Sequence, residues 1–248
     1  MPTRLTLTLT LTADRPNTQR PVTPAQLHGL TALLLENTAT HHHAQHKPYT
    51  VSPLLAAPTH HNGRPNALLR LGWLPDNPRP DPTHITGRTV RLGSQYFTIT
   101  ATDEEFTPYT ALTQLPPASR AIIRFRSATY FSRNGRWHPL PDPVLLYAGL
   151  IRRWNHFAPE TERLTDPETK ELLTSVALSA HEISSLPVDL GSGTRIGFTG
   201  TAAFRLLGHH TPHDRTPHHF PALTLFATTA GAGAQTTHGL GYVEATLE

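Results

Sequence analysis

The 248-residue sequence predicts an α+β fold built from two tandem ferredoxin-like (RRM-like, βαββαβ) domains, residues 1–116 and 117–248. Three observations predict it. The chain opens on a strand with strict period-2 alternation and passes almost at once into an amphipathic helix. Paired prolines, Pro116-Pro117, interrupt it near the middle. Directly after them a second unit begins, and its order of strand, helix, strands, helix, strand is that of a split βαβ fold. This length suits two domains of roughly 100 to 130 residues, each able to bury a core.

In the first domain, Leu5, Leu7, Leu9 and Leu11 alternate with Thr6, Thr8, Thr10 and Thr12, so one strand face is apolar and the other polar. Thr23 is placed to cap a helix, Pro24 suits its first turn, and Leu27, Leu30, Leu34 and Leu35 recur at helical spacing until Asn37. A histidine-rich linker, His41 to Lys47, leads into the apolar segment 48–55. Residues 66–75, 88–101 and 106–115 read as strands or strand pairs between turns rich in Pro, Asp and Gly. The first domain is thus a less regular version of the second. Pro116-Pro117 marks the boundary, because a residue before proline is pushed extended and paired prolines stiffen a linker.

In the second domain, residues 120–131 read as a strand, Asn134-Gly135 as a tight turn, and residues 141–157 as a helix with Val144, Leu145, Tyr147, Ala148, Ile151 and Trp154 on its buried stripe. Trp137 and Trp154 are expected in the core. A charged connector over 160–171 precedes strands carrying VALSAHEISSLPVDL and RIGFTGTAAFRLLG, and 209–219 reads as a polar loop. Residues 221–231 form a short helix and GYVEATLE a final strand. The pairs His60-His61, His209-His210 and His218-His219 are expected on the surface.

Composition narrows the function. With no cysteine, the chain has no disulfides, no thiol nucleophile and no Cys-ligated metal. The formal net charge of +3, carried more by Arg than by Lys, suits a polyanionic partner, since guanidinium grips phosphate oxygens in pairs. The Leu/Thr opening reads as a half-buried strand and not as the continuous apolar core of a signal peptide, and no run approaches the ~20 apolar residues of a membrane span. The expectation is a cytoplasmic protein without membrane attachment.

The most informative stretch is the glycine-rich segment AGAGAQTTHGLGYVE, residues 230–244. Gly231, Gly233, Gly239 and Gly241 flank a polar centre of Gln235, Thr236 and Thr237, between a helix and a strand. A Rossmann fingerprint needs the opposite order, so a dinucleotide site is not expected, although a plain helix-to-strand connection would also fit. GFTGTAAFRL (197–206), the apolar helix and this segment together resemble the C-terminal signature of the RAMP superfamily. More narrowly they resemble the CRISPR-associated endoribonuclease that processes precursor CRISPR RNA, the sixth Cas family. FRSATYFSRNGRWHPLPDPVLLYAGLIRRWNHFAP (125–159) is similar to the same family, as is HKPYTVSPL (46–54), so the likeness covers most of 120–244 with a shorter match in the first domain. Gln235 stands where the family often has Lys or Arg, which implies a weaker, less salt-dependent hold on phosphate.

The resemblance implies binding of CRISPR repeat RNA and metal-independent cleavage, without a cofactor, by attack of a ribose 2′-hydroxyl on the adjacent phosphate. It also implies a partner role with CRISPR effector subunits, and leaves a homodimer open. The catalytic candidates are His41, His42, His43, His46 and Lys47. An imidazole titrates near neutral pH, so it can act as base or acid, and an ammonium can offset transition-state charge. The family's catalytic His sits roughly six residues before its KPYTVSP-like element, which points to His41 or His42. Read alone, the tract also fits a solvated loop. It could bind a metal adventitiously, but it lacks the rigid ligand frame of a functional metal site. For RNA binding the candidates are Arg124 and Arg126 on one strand face, Arg133 and Arg136 beside the tight turn, Arg152 and Arg153 on the helix, and the glycine segment itself. Tyr130 and Phe131 are nearby aromatics for base stacking.

Overall fold

A computed structural model describes residues 1–12, 21–36, 46–61, 64–77, 84–208 and 214–248, with only the backbone for 58–61, 64 and 65. The first half runs β1 (Thr3–Leu11), α1 (Pro24–Leu35), β2 (Tyr49–Val51), β3 (Leu55–His61), β4 (Arg64–Trp73), β5 (Thr89–Leu92), β6 (Gln95–Phe106) and the short α2 (Tyr109–Thr113). The second runs β7 (Arg120–Thr129), β8 (Phe131–Arg133), β9 (Arg136–His138), α3 (Pro143–Phe157), α4 (Asp166–Ser175), β10 (Val176–Asp189), β11 (Thr194–Leu206), α5 (Thr216–Ala230) and β12 (Val243–Leu247).

Both halves have ferredoxin-like sheets. In the second the strand order is β10-β11-β7-β12, antiparallel throughout, with the first strand of the motif in the centre. In the first, β1 lies between β4 and β6, and β2 and β3 together take the place of one interrupted strand against β4. Where the motif would place its second helix, between β4 and β6, the described residues carry the edge strand β5 instead.

The local reasons are those the sequence offers. Leu5, Leu7 and Leu9 point from β1 into a core with Leu27, Leu30 and Leu34 of α1 and Leu69 and Leu71 of β4. Thr23 caps α1 in a complete capping box with Gln26. The β8-β9 turn places Asn134 and Gly135 at positive φ, as a two-residue hairpin requires. Asp142 caps α3 by accepting from the Leu145 amide at 2.8 Å.

Several expectations are corrected. Residues 106–115 are not a strand: β6 ends at Phe106 and Pro108 starts α2. There Tyr109 stacks edge-on against Trp154 at 4.7 Å, a tertiary contact that overrides the β-branched threonines. The charged connector contains α4, whose capping box joins Thr165 and Glu168. The last helix starts at Thr216, five residues earlier than expected, and Pro221 lies inside it. Pro221 cannot donate to the Pro217 carbonyl, and Ala118 N takes that acceptor at 3.3 Å. His219 is therefore not a surface residue but 1% exposed, while His209 and His210 lie outside the described residues, as do the side chains of His60 and His61. Val144 is exposed, and the α3 stripe is instead Leu146, Tyr147, Leu150, Ile151 and Trp154. Trp137 is 51% exposed, with the Arg195 guanidinium 3.7 Å over its ring.

The second core holds Ala121, Ile123 and Phe125 of β7 against Tyr147, Trp154, Phe220 and Phe226. It also takes in Leu74, Tyr109 and Leu112 from the N-terminal side of Pro116.

Candidate nucleic-acid interface

The glycine segment leaves α5 in a tight reversal. Gly231, Gly233, Gly239 and Gly241 all have positive φ, and Gln235 is left-handed at φ 59°. The need for glycine is sharpest at Gly241, where a Cβ would come 2.0 Å from the Ala232 carbonyl oxygen, and at Gly233, where it would come 2.4 Å from that of Tyr130. The close approach is used for pairing: Ala232 N donates to Gly241 O at 2.8 Å, Ala234 N to Tyr130 O at 2.9 Å and Gly241 N to Ala128 O at 3.0 Å. The loop is thus sewn to the end of β7. Thr236 is buried, and Thr237 Oγ1 meets His238 Nδ1 at 2.9 Å.

Arg153 of α3 holds the same loop from below. Its guanidinium donates to the carbonyls of Ala230, Gly231 (3.3 Å) and Gly233 (2.6 Å). Burial, with Arg152 beside it, lowers its pKa to about 10, which still leaves it charged at neutral pH. Arg153 is therefore a structural clamp, whereas Arg152 is exposed and makes no ion pair among the described residues.

The loop also forms the seam between the halves. His238 stacks on His28 of α1 with ring centres 4.2 Å apart, and His28 Nδ1 lies 3.2 Å from the Thr237 carbonyl. Burial first, then His28, pushes the His238 pKa down to about 4, so His238 is neutral at physiological pH. Thr50 Oγ1 donates to Thr229 O at 2.6 Å, and Arg70 donates to the Tyr242 hydroxyl. Nothing in the sequence singled out His28 or Tyr242; the His within the glycine segment was the one visible signal.

His41, His42 and His43 lie outside the described residues. Their flanks do not. Glu36, the C-cap of α1, accepts from Lys47 Nζ at 2.8 Å and from the Tyr49 hydroxyl at 2.7 Å, so one buried carboxylate joins the two ends of the histidine tract. Lys47 is thereby engaged in an ion pair, and burial with Glu36 pushes the Tyr49 pKa upward. His46 sits across from His156 of α3 at 4.8 Å between ring centres. His156 is shifted toward the neutral form by burial, then by His46 and Arg163.

Between His46, α3, β8 and the glycine loop lies an open cleft lined by His46, Phe131, Ser132, Arg152, Gly233 and Ala234, among others. It brings a candidate from the histidine tract and part of the glycine segment to one place. The arginines of β7 are elsewhere. Arg124 and Arg126 project from the sheet face opposite the helices, where Arg126 pairs with Glu244 at 2.8 Å. Arg133 and Arg136 are exposed on the β8-β9 hairpin. Tyr130 and Phe131 are buried, which removes them as open stacking platforms; Trp137, under Arg195, is the exposed aromatic of that region. Among the described residues no three His, Asp or Glu side chains group closely enough to share a metal ion.

Residues 123–243 match the family model of the CRISPR-associated endoribonuclease Cas6, a span that begins within β7 and runs through the glycine loop. Over this segment, just under half of the chain, the sequence is similar to the Cas6 family. A curated Cas6 endoribonuclease of Mycobacterium tuberculosis is 29% identical over 129 residues, which make up 52% of this chain and 39% of that protein. The chain thus aligns with about two-fifths of the relative's length. Among solved structures, a Cas6 product complex superposes with a TM-score of 0.80 at 24% identity, covering 99% of this chain and all of that one. A Thermus thermophilus Cas6 gives 0.75 at 22% identity, covering 99% and 98%. A RAMP protein binding different RNA substrates gives 0.54 at 11%, covering 98% and 99%. At these identities the structures establish the fold, the tandem ferredoxin-like arrangement of the Cas6 and RAMP proteins, over essentially the whole chain.

Proposed function

We propose that this chain is an endoribonuclease that binds CRISPR repeat RNA and cuts precursor CRISPR RNA. The observation that carries the reading is the cleft in which His46, at the end of the histidine tract, faces α3 and the glycine loop of the Cas6-family segment. The proposed reaction is transesterification. The ribose 2′-hydroxyl loses its proton to an imidazole and attacks the neighbouring phosphorus. The bond to the 5′-oxygen of the next nucleotide breaks, and that oxygen takes up a proton. The products are a 2′,3′-cyclic phosphate and a 5′-hydroxyl, with no oxidation or reduction and no metal required, because RNA supplies its own nucleophile.

His41, His42, His43 and His46 are the proposed acid and base candidates. Lys47 has a second role open to it: its ion pair with Glu36 makes it a fastener of the tract as much as a source of transition-state charge. Arg124, Arg126, Arg133, Arg136 and the glycine segment from Gly231 to Gly241, with Gln235, Thr236 and Thr237, are the proposed RNA contacts. We keep residues 1–116 and 117–248 as the proposed domains, a cytoplasmic setting as the proposed location, and effector subunits and a second copy as proposed partners.

Incubation of the purified protein with repeat RNA in EDTA tests this reading. Specific cleavage leaving a cyclic phosphate is expected, and loss of cleavage in one of the single alanine variants at His41, His42, His43 or His46, with RNA affinity retained, assigns the catalytic group. A protein that binds cognate repeats tightly yet never cuts them is instead a non-catalytic RAMP subunit that holds CRISPR RNA.

A further inference from the structure

We infer that the cleft along α3 is a binding site for a single nucleotide of the bound RNA, with its base on the helix and its phosphate at Arg152. The inference rests on the RNA-binding part of the reading above and adds to it the residues that receive the nucleotide.

The cleft has two chemically distinct ends. One is apolar: the floor is Ala148 and Gly149 of α3, and Phe131 and Leu145 form the side. The other is polar and basic: Arg152, one turn further along the same helix, with His46, Ser132 and the backbone of Gly233 and Ala234. An apolar surface next to a guanidinium suits a nucleotide, whose base face is apolar and whose phosphate accepts paired N–H donors.

The floor is built for access. A Cβ on Gly149 would meet nothing within 4 Å, so no packing contact requires glycine there, although glycine costs a helix interior about 1 kcal/mol relative to alanine. What its absent side chain does is leave the helix backbone open to the cleft. The two arginines divide their work. Arg153 is committed to the carbonyls of Ala230, Gly231 and Gly233 and fixes the wall, while Arg152 is exposed, with no ion pair among the described residues. His156 backs His46 from the second half of the chain, so both halves contribute to the rim.

Gly149→Leu and Arg152→Ala separate the two ends of the site. Backbone amide shifts of Gly149, Ala234 and their neighbours are followed while nucleoside 3′-monophosphates, and separately inorganic phosphate, are added to the full chain; thermal melting checks the fold of each variant. In the wild type both probes are expected to shift resonances around the cleft. Gly149→Leu, which fills the floor, should weaken nucleotide binding about tenfold and leave phosphate binding unchanged, whereas Arg152→Ala should weaken both. The same two variants are assayed with repeat RNA, to show whether the occupant is a nucleotide within the RNA or only a free mononucleotide. Reduced RNA affinity in folded Gly149→Leu supports the former. Wild-type shifts centred away from α3, no shifts at millimolar nucleotide, or a folded Gly149→Leu that binds RNA and nucleotide like wild type would overturn the proposal. If Gly149→Leu behaves as wild type while RNA is still cut, the cleft is wrong and the nuclease reading stands. If RNA binds through the cleft but is never cut, the nuclease reading fails and the cleft stands.

Discussion

The two halves share a strand order but not a means of support. The second half has the full motif, with α3 and α5 behind its sheet and a core of large aromatics. Among the described residues the first half has one long helix, α1, and an edge strand between β4 and β6 where the second would stand. It leans on its neighbour instead. Tyr109 and Leu112 of α2 and Leu74 just after β4 pack into the second core, and Thr50 and Gly72 meet the C-terminal turn of α5 at Thr229. The difference teaches that a repeated topology need not give two independent folding units. Here the incomplete copy is finished by side chains it lends to the complete one.

Four measurements would break or sharpen that contrast. The largest effect belongs to Trp154→Ala. It empties a fully buried site against Tyr109 and Phe226 and should cost about 3–5 kcal/mol in denaturant unfolding. If the halves depend on each other, hydrogen-exchange protection of β1 amides falls together with that of β7; unchanged β1 protection would mean the halves are independent.

Next comes acid. His219 is buried with neither ring nitrogen hydrogen-bonded, and its pKa is lowered to about 4, mainly by burial. The unfolded chain binds this proton near pH 6.5 and the folded chain does not, so the stabilisation is complete above about pH 6.5 and is lost as pH falls toward 4. The loss amounts to at most about 3 kcal/mol. His219→Phe should flatten this limb of the stability curve, and because the residue belongs to the complete half, urea midpoints between pH 4 and 7 report on that half.

Removing the clamp is a smaller perturbation. Arg153→Leu deprives three carbonyls of their donor and should destabilise by about 2 kcal/mol, while loosening the loop that joins the halves. Faster exchange at Ala234 and Gly241 than at β11 would locate the effect in the loop. The smallest effect is Arg124→Ala on the exposed face of β7. Stability should change by less than about 0.5 kcal/mol, while the slope of log affinity for repeat RNA against log salt should lessen by about 0.7 to 0.9 if Arg124 contacts a phosphate.

What the sequence revealed and what it concealed follow a physical line. Local signals were legible: the Leu/Thr alternation of β1, the Thr23 cap, the Asn134-Gly135 turn, and the glycines whose positive φ the loop uses. Readings that depended on distant partners were not. The apolar Trp137 looks like core until Arg195, far along the chain, is found lying over it. Residues 109–113 become helical because Tyr109 has Trp154 to pack against. His219 reads as one of many polar histidines, because its burial is decided by the start of α5, one turn earlier than Pro221 implied. For α4 the signal was present, a Thr165 to Glu168 capping box, but its charged composition hid it. In the candidate site, the family-like segments pointed to the glycine loop and the histidine tract, while the roles of Arg153, His156 and Glu36 became visible only once the chain was folded.

The Arg153 clamp has an electrostatic consequence. Peptide dipoles along α5 add up to roughly half a negative charge at its C-terminal carbonyls, and it is this end that opens into the glycine loop. An unmodified helix C-terminus repels a polyanion. By placing a guanidinium on the carbonyls of Ala230, Gly231 and Gly233, α3 cancels that repulsion from within the protein. In the proposed RNA complex this would offset part of what the loop loses by carrying Gln235 where a cation might be expected.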